Sequence, residues 1–69
     1  MMLSARNQLK GTVVAIERGA VNANVKLDIG GGNVLTSSIT VAAVDELGLE
    51  VGKEAIAVVK ASSVMVGVE

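Results

Sequence analysis

Two short segments of the chain combine a positive charge with hydroxyl and amide donors. Residues 4–8 read Ser-Ala-Arg-Asn-Gln, and residues 60–63 read Lys-Ala-Ser-Ser. Neither segment contains a carboxylate, so each offers N–H and O–H donors beside a cation, a composition that suits an anion carrying its own acceptors. Each segment also has a plainer interpretation, the first as a polar N-terminal arm and the second as a solvated turn.

A third polar cluster consists of Thr36, Ser37, Ser38 and Thr40 in a region otherwise rich in apolar residues. Hydroxyls on a strand commonly bond to the backbone or face water, and ligand contact is the alternative. In an oligomer, this strand of one subunit could approach the cationic segments of a neighbour. A site built in this way would form only on assembly.

The residue types that are missing exclude several functions. The 69 residues include no Cys and no His, which leaves no thiolate nucleophile, no imidazole base, no disulfide and no Cys/His zinc site. We therefore predict no enzyme and no catalytic cofactor. The absence of aromatic residues and the net charge of −1 also argue against nucleic-acid binding, which stays an alternative function for a fold of this kind.

The short chain and its apolar composition predict an oligomer. A domain of this size buries roughly 60% of its extended surface and is only marginally stable alone. Although 51% of the residues are hydrophobic, glycines at 30–32 and polar residues interrupt the longest uncharged stretch, so we predict no membrane span. No signal peptide is recognisable at the N-terminus, and we expect one cytoplasmic domain over residues 1–69.

The first half of the chain predicts three strands. A β-branched run covers residues 12–16, alternating apolar and polar residues cover 23–29, and a third strand covers 34–40. The glycine-rich segment 30–33 predicts a hairpin turn between the second and third strands. A phosphate-binding loop is the less favoured alternative, because no Gly-Lys-Ser/Thr follows.

The second half predicts a helix over 41–47, capped by Thr40 and Gly48, with Val41, Val44 and Leu47 on its apolar face. A fourth strand over 54–60 is apolar on both faces, which suggests that a second subunit covers the outer one. A fifth strand follows over 64–68. The predicted fold class is all-β, a five-stranded OB-like barrel with one short helix between strands 3 and 4.

Four motifs together resemble the molybdenum-binding-protein (Mop) domain. They are the opening Met-Leu-Ser-Ala-Arg-Asn-Gln-Leu-Lys-Gly, the Gly-Gly-Asn hairpin with Leu-Thr-Ser-Ser-Ile-Thr, the helix end Val-Asp-Glu-Leu-Gly-Leu, and Ala-Val-Val-Lys-Ala-Ser-Ser-Val-Met-Val. The similarity covers nearly the whole chain and is closest in kind to the single-domain molbindins. It implies a cytoplasmic hexamer, a trimer of dimers, that binds molybdate and tungstate at subunit interfaces and stores molybdenum for cofactor synthesis.

The resemblance also implies which residues bind the oxyanion, with no side chain ligating the metal directly. One wall would comprise Ser4, Arg6, Lys60, the backbone N–H of Ala61, and Ser62, and strand-three hydroxyls of a partner, Thr36 or Ser37, would close it. Whether Ser62, Ser63 or both supply the hydroxyl stays open. The resemblance also implies a second class of site near the threefold axis, for which residues 21–24 are the candidates. A purely structural oligomer without a ligand is a further alternative.

Overall fold

A computed structural model describes residues 4–69, so that Met2 and Leu3, where the resemblance begins, lie outside the described residues. Four strands form one antiparallel sheet: β1 (Asn7–Arg18), β2 (Asn22–Gly30), β3 (Asn33–Thr40) and β4 (Glu54–Val59). A helix, α1 (Val41–Leu47), joins β3 to β4, and a short 3₁₀ turn, Ala61–Ser63, follows β4. The strand order is β3-β2-β1-β4. The predicted mainly antiparallel β fold with one helix between strands 3 and 4 is confirmed.

Strand β1 begins five residues earlier than the predicted strand at 12–16. Its first half pairs with β4, from Asn7 opposite Val59 to Thr12 opposite Glu54, and its second half pairs with β2. The register shifts between Val13 and Ala15, where the strand passes from one partner to the other. Residues 7–10 lack a β-branched run, and their strand conformation depends on a distant partner. Local propensity therefore underestimated β1.

The hairpin of β2 and β3 was predicted correctly and supplies much of the core. Val25 and Leu27 are buried, and they alternate with polar residues as predicted. They contact Val13 and Val44, which have no exposed surface, within one apolar cluster. We call the sheet face that carries this cluster the inner face, and the opposite one the outer face. The glycine-rich segment forms the predicted turn, since Gly31 and Gly32 adopt φ angles of 63° and 78°.

Helix α1 has the predicted bounds and caps. The Ala43 N–H donates to Thr40 Oγ1 at 3.0 Å, and Gly48 ends the helix in the left-handed conformation at φ 64°. Val44 points into the core as expected, but Leu47 is 69% exposed. The predicted apolar face of α1 is therefore only partly covered by the chain, since Val44 is the buried residue of this helix.

The predicted fifth strand over 64–68 is absent from the sheet of residues 4–69, which has four strands and not five. The 3₁₀ turn precedes this segment, and Met65, Val66 and Val68 are each more than 90% exposed. An alternating pattern becomes a strand only when its backbone finds a partner, and no strand among residues 4–69 provides one. Within the part of the chain described, β3 and β4 are the two unpaired edges and do not pair with each other. The predicted count of five strands for the OB-like barrel was therefore wrong for residues 4–69, which form four.

No helix among residues 4–69 is long and apolar enough to cross a membrane.

Candidate functional site

One end of the sheet brings the two cationic segments together. Asn7, the first residue of β1, pairs with Val59, the last residue of β4. Arg6 immediately precedes this pair in sequence and Lys60 immediately follows it, so the two cations lie at the same end of the sheet, and both are exposed. Ser4 and Ser62 lie two residues further along the same segments. We call this region the open end of the sheet.

The turn after β4 leaves backbone donors free at the open end. The Ser63 N–H donates to the Lys60 carbonyl at 2.8 Å, and the Val64 N–H donates to the Ala61 carbonyl at 3.2 Å. The N–H groups of Ala61 and Ser62 have no hydrogen-bond acceptor among residues 4–69. Both residues are exposed, so these donors are available to a ligand. Ser62 and Ser63 are both exposed, and either hydroxyl can contribute.

The open end carries positive charge without an internal counter-charge. Of the residues described, no carboxylate lies within salt-bridge distance of Arg6 or Lys60. The same part of the chain contains no cluster of three or more His, Cys, Asp or Glu that could hold a metal ion. An arrangement of cations, hydroxyls and amide N–H groups without carboxylates suits an oxyanion and not a bare metal cation.

The hydroxyls predicted on strand three lie apart from the open end. Thr36 pairs with Lys26 and is exposed on the outer face, whereas Ser37 pairs with buried Val25 and is half-buried on the inner face. Their side chains therefore point in opposite directions. In sheet order, β2 and β1 separate them from β4. No hydrogen bond among the described residues joins Thr36 or Ser37 to the open end.

A groove of about 860 Å³ separates β3 from β4. Its walls are largely apolar and include Leu27, Leu35, Ile39, Leu49 and Ala57, while Thr36 and Ser37 line the β3 side and Val58 and Val59 the β4 side. The groove therefore runs from the strand-three hydroxyls to the last residues before Lys60.

Residues 21–24, the candidates for a second site, make backbone hydrogen bonds within the fold. The Val21 carbonyl accepts from the Val41 N–H at 2.8 Å, and the Asn22 carbonyl accepts from the Gly19 N–H at 2.8 Å. Ala23 is buried, and Asn24 is exposed on the outer face. These contacts link β2 to its neighbours, and the second site stays a prediction.

Sequence reasoning missed Lys10. It is exposed on the outer face of β1, on the side of the strand that leads to Arg6. With β1 predicted to start at residue 12, the two-residue alternation was not extended back to position 10. A strand beginning at Asn7 places Lys10 on the outer face together with Gln8, in the half of β1 that leads to Arg6.

The chain is a small antiparallel β domain with a cationic, carboxylate-free end whose polar groups suit an anion, and comparison with known proteins gives its family. A TOBE domain model matches residues 3–66. The chain is 71% identical over 69 residues to a probable molybdenum-pterin-binding protein of Haemophilus influenzae, with both chains fully covered. It is 53% identical over 66 residues to molybdenum-pterin-binding protein 2 of Clostridium pasteurianum, covering 96% of this chain and 97% of that one.

Solved structures of similar proteins superpose on this chain. MopII from Clostridium pasteurianum superposes with a TM-score of 0.90 at 51% identity, covering 97% of this chain and 100% of that one. The cytoplasmic molybdate-binding protein ModG, crystallised with molybdate bound, superposes with a TM-score of 0.94 at 56% identity, and the match covers all of this chain and 49% of ModG. The chain belongs to the TOBE-domain family, within its molybdenum-pterin-binding (Mop) group.

Proposed function

We propose that this protein binds molybdate and tungstate at the open end of the sheet and serves intracellular molybdenum storage and homeostasis, without a catalytic activity or cofactor. The observation that supports the proposal is that Arg6 and Lys60 flank the Asn7–Val59 pair at one end of the sheet and have no carboxylate partner in residues 4–69. The names of the relatives support the ligand, since they are molybdenum-pterin-binding and molybdate-binding proteins.

The ligand's chemistry fits these residues. Molybdate and tungstate are tetrahedral dianions near neutral pH, with four oxygens that accept hydrogen bonds. Arg6 and Lys60 offset the charge of an ion that has left water, and the hydroxyls and free N–H groups of Ser4, Ala61 and Ser62 bind single oxygens. Hydrogen bonds to a charged group contribute about 1.5–3 kcal/mol each, so a few suffice for tight binding.

We further propose that the binding unit is a homo-oligomer, a hexamer arranged as a trimer of dimers, with the oxyanion at subunit interfaces. Two exposed apolar surfaces support assembly. On the outer face of β4, Ile56 and Val58 are 45% and 44% exposed, and residues 64–68 form an apolar arm outside the sheet. The groove between β3 and β4 has two unpaired strand edges, which the arm of a second copy would satisfy by pairing as an added strand. Oxyanion sites at such interfaces would receive Thr36 or Ser37 from the partner.

Calorimetric titration with molybdate, tungstate and sulfate tests the ligand. Molybdate and tungstate should bind well above sulfate, and Arg6→Gln should weaken tungstate binding by about 10- to 100-fold because a charged hydrogen-bond donor is lost. Arg18→Gln is the matched control, because Arg18 already donates to Asp45 at 3.0 Å, and it should bind like the wild type. Equal weak heats for all three anions would contradict the proposal.

Sedimentation equilibrium tests the assembly. The proposed hexamer has a mass close to six times the 7.0 kDa of one chain. A mass equal to that of one chain at concentrations where tungstate binds tightly would contradict binding at interfaces, while leaving oxyanion binding itself in place.

A further inference from the structure

The six cations of the chain divide into two groups. Three form ion pairs: Arg18 with Asp45 at 3.0 Å, Lys26 with Glu17 at 3.7 Å, and Lys53 with Glu50 at 3.7 Å. The other three have no carboxylate within salt-bridge distance among residues 4–69, and they are Arg6, Lys10 and Lys60. Two of these three already belong to the proposed oxyanion site. The third has no role in the proposed function.

The register of β1 and β4 places Lys10 on the approach to the open end. Lys10 pairs with Ile56 and Gln8 pairs with Val58, so these four residues share the outer face. Arg6 lies in the bend just before β1, and Lys60 directly follows β4. Four residues separate Lys10 from Arg6, a chain length of about 13 Å when extended. The flexible stem of Lys10 lies beside apolar Ile56, while its ammonium group remains in solvent.

The carboxylates nearest to Lys10 lie on its other side. Glu54 and Asp28 line a shallow groove of about 380 Å³ together with Lys10, without reaching salt-bridge distance from its ammonium. Asp28 instead accepts a hydrogen bond from the Gly30 N–H at 2.9 Å. Along the outer face of β1 and β4, Lys10 therefore stands between two carboxylates and the open end. The Lys10 ammonium adds positive potential at the open end and offsets the negative potential of Glu54 and Asp28.

A cation that acts from this distance makes no contact with the ligand and acts through its charge. The Coulomb energy between two charges is proportional to each of them, so Lys10 attracts a dianion twice as strongly as a monoanion at the same place. The binding constant depends exponentially on the binding free energy. If loss of the Lys10 charge weakens the binding of a monoanion by some factor, it should weaken that of a dianion by the square of that factor. We propose that Lys10 is a third cation of the oxyanion site, which it biases toward dianions over monoanions of the same shape. This inference rests on the proposed function.

Tungstate and perrhenate provide the test, because both are tetrahedral oxyanions of heavy metals and differ by one charge. In a buffer of about 10 mM ionic strength, where the Debye length is about 30 Å, Lys10→Gln should weaken tungstate binding by about threefold and perrhenate binding by about 1.7-fold. Lys10→Arg should restore both constants, because it keeps the charge. Lys53→Gln removes the same charge just before the far end of β4, at a residue already paired with Glu50, and should weaken both constants less than Lys10→Gln does, because the charge lies further from the open end.

Three results would overturn the inference. Equal losses for the two anions on Lys10→Gln would indicate an altered site geometry and not a charge effect. Binding constants for Lys10→Gln that match those of Lys53→Gln would show that Lys10 does not act on the site, with tungstate binding by the wild type still supporting the proposed function. Failure of the wild type to bind either anion would reject the proposed function and this inference together.

Discussion

The two ends of β1 each present an arginine, and the contrast between them shows how the fold separates stability from binding. At one end, Arg18 donates to Asp45 on α1 at 3.0 Å, and nearby the Val41 N–H donates to the Val21 carbonyl. At the other end, Arg6 and Lys60 have no carboxylate partner in the described part of the chain. At the first end, the chain's own groups supply the ion-pair and hydrogen-bond partners. The second leaves cations and free N–H groups, as expected where the counter-charge is a ligand.

We expect the largest effect from a carboxylate introduced at the open end, because it would give Arg6 a counter-charge within the chain. Gln8 lies on the outer face next to Arg6, and its side chain donates to the Ala5 carbonyl at 3.5 Å. In Gln8→Glu, a carboxylate would pair with Arg6 and repel a dianion, and we expect tungstate binding to weaken by at least about tenfold. Calorimetry measures this loss. Gln8→Ala removes the same hydrogen bond without adding charge, so an equal loss in both variants would contradict the account.

The reverse experiment weakens the satisfied end. Thr40→Ala removes the hydrogen bond from the Ala43 N–H at the start of α1 and should lower the free energy of unfolding by about 1 kcal/mol. Urea denaturation at a fixed protein concentration measures this change, and Thr40→Ser should retain most of the stability. Tungstate affinity should stay at the wild-type value. A large loss of affinity in Thr40→Ala would show that the two ends are coupled.

The smallest expected effect concerns the Arg18–Asp45 ion pair itself. Both side chains are about half exposed or more, so the pair contributes roughly 0.5 kcal/mol, and salt should screen that contribution. Asp45→Asn should therefore lower the free energy of unfolding slightly at low salt and not at 1 M salt, relative to Glu46→Gln. Glu46 is the adjacent helix residue with no ion pair in residues 4–69, so it controls for the interaction of a carboxylate with the helix dipole. A loss that persists at high salt would mean that Asp45 acts by another contact.

Local signals explain which elements of the fold could be predicted. The helix was predicted with its caps because Thr40 and Gly48 act on their immediate neighbours, and the hairpin because positive φ angles at Gly31 and Gly32 depend only on the turn. The start of β1 and the state of residues 64–68 depend on strand pairing across the chain or beyond it. Periodicity identifies an apolar face but not what covers it, and Leu47, on the predicted apolar face of α1, is accordingly exposed.

The candidate site could likewise be predicted only in part, because some of its features are local and others depend on strand pairing. The composition of residues 4–8 and 60–63 predicted donors for an anion, but their adjacency depends on the register of β1 and β4, which spans most of the chain. Thr36 and Ser37 were predicted as alternative donors from a partner, and the register shows that they face opposite sides of β3. Lys10 was missed because its face is known only once the start of β1 is known.

A crystal structure of the assembled protein soaked with tungstate would locate the bound oxyanion by the anomalous scattering of tungsten. We expect tungsten at the open end, with oxygens bound by Arg6, Lys60 and the N–H groups that follow β4, and with a second subunit completing the shell. Tungsten beside the paired cations Arg18, Lys26 or Lys53, or an open end without tungsten at saturating concentration, would contradict this expectation.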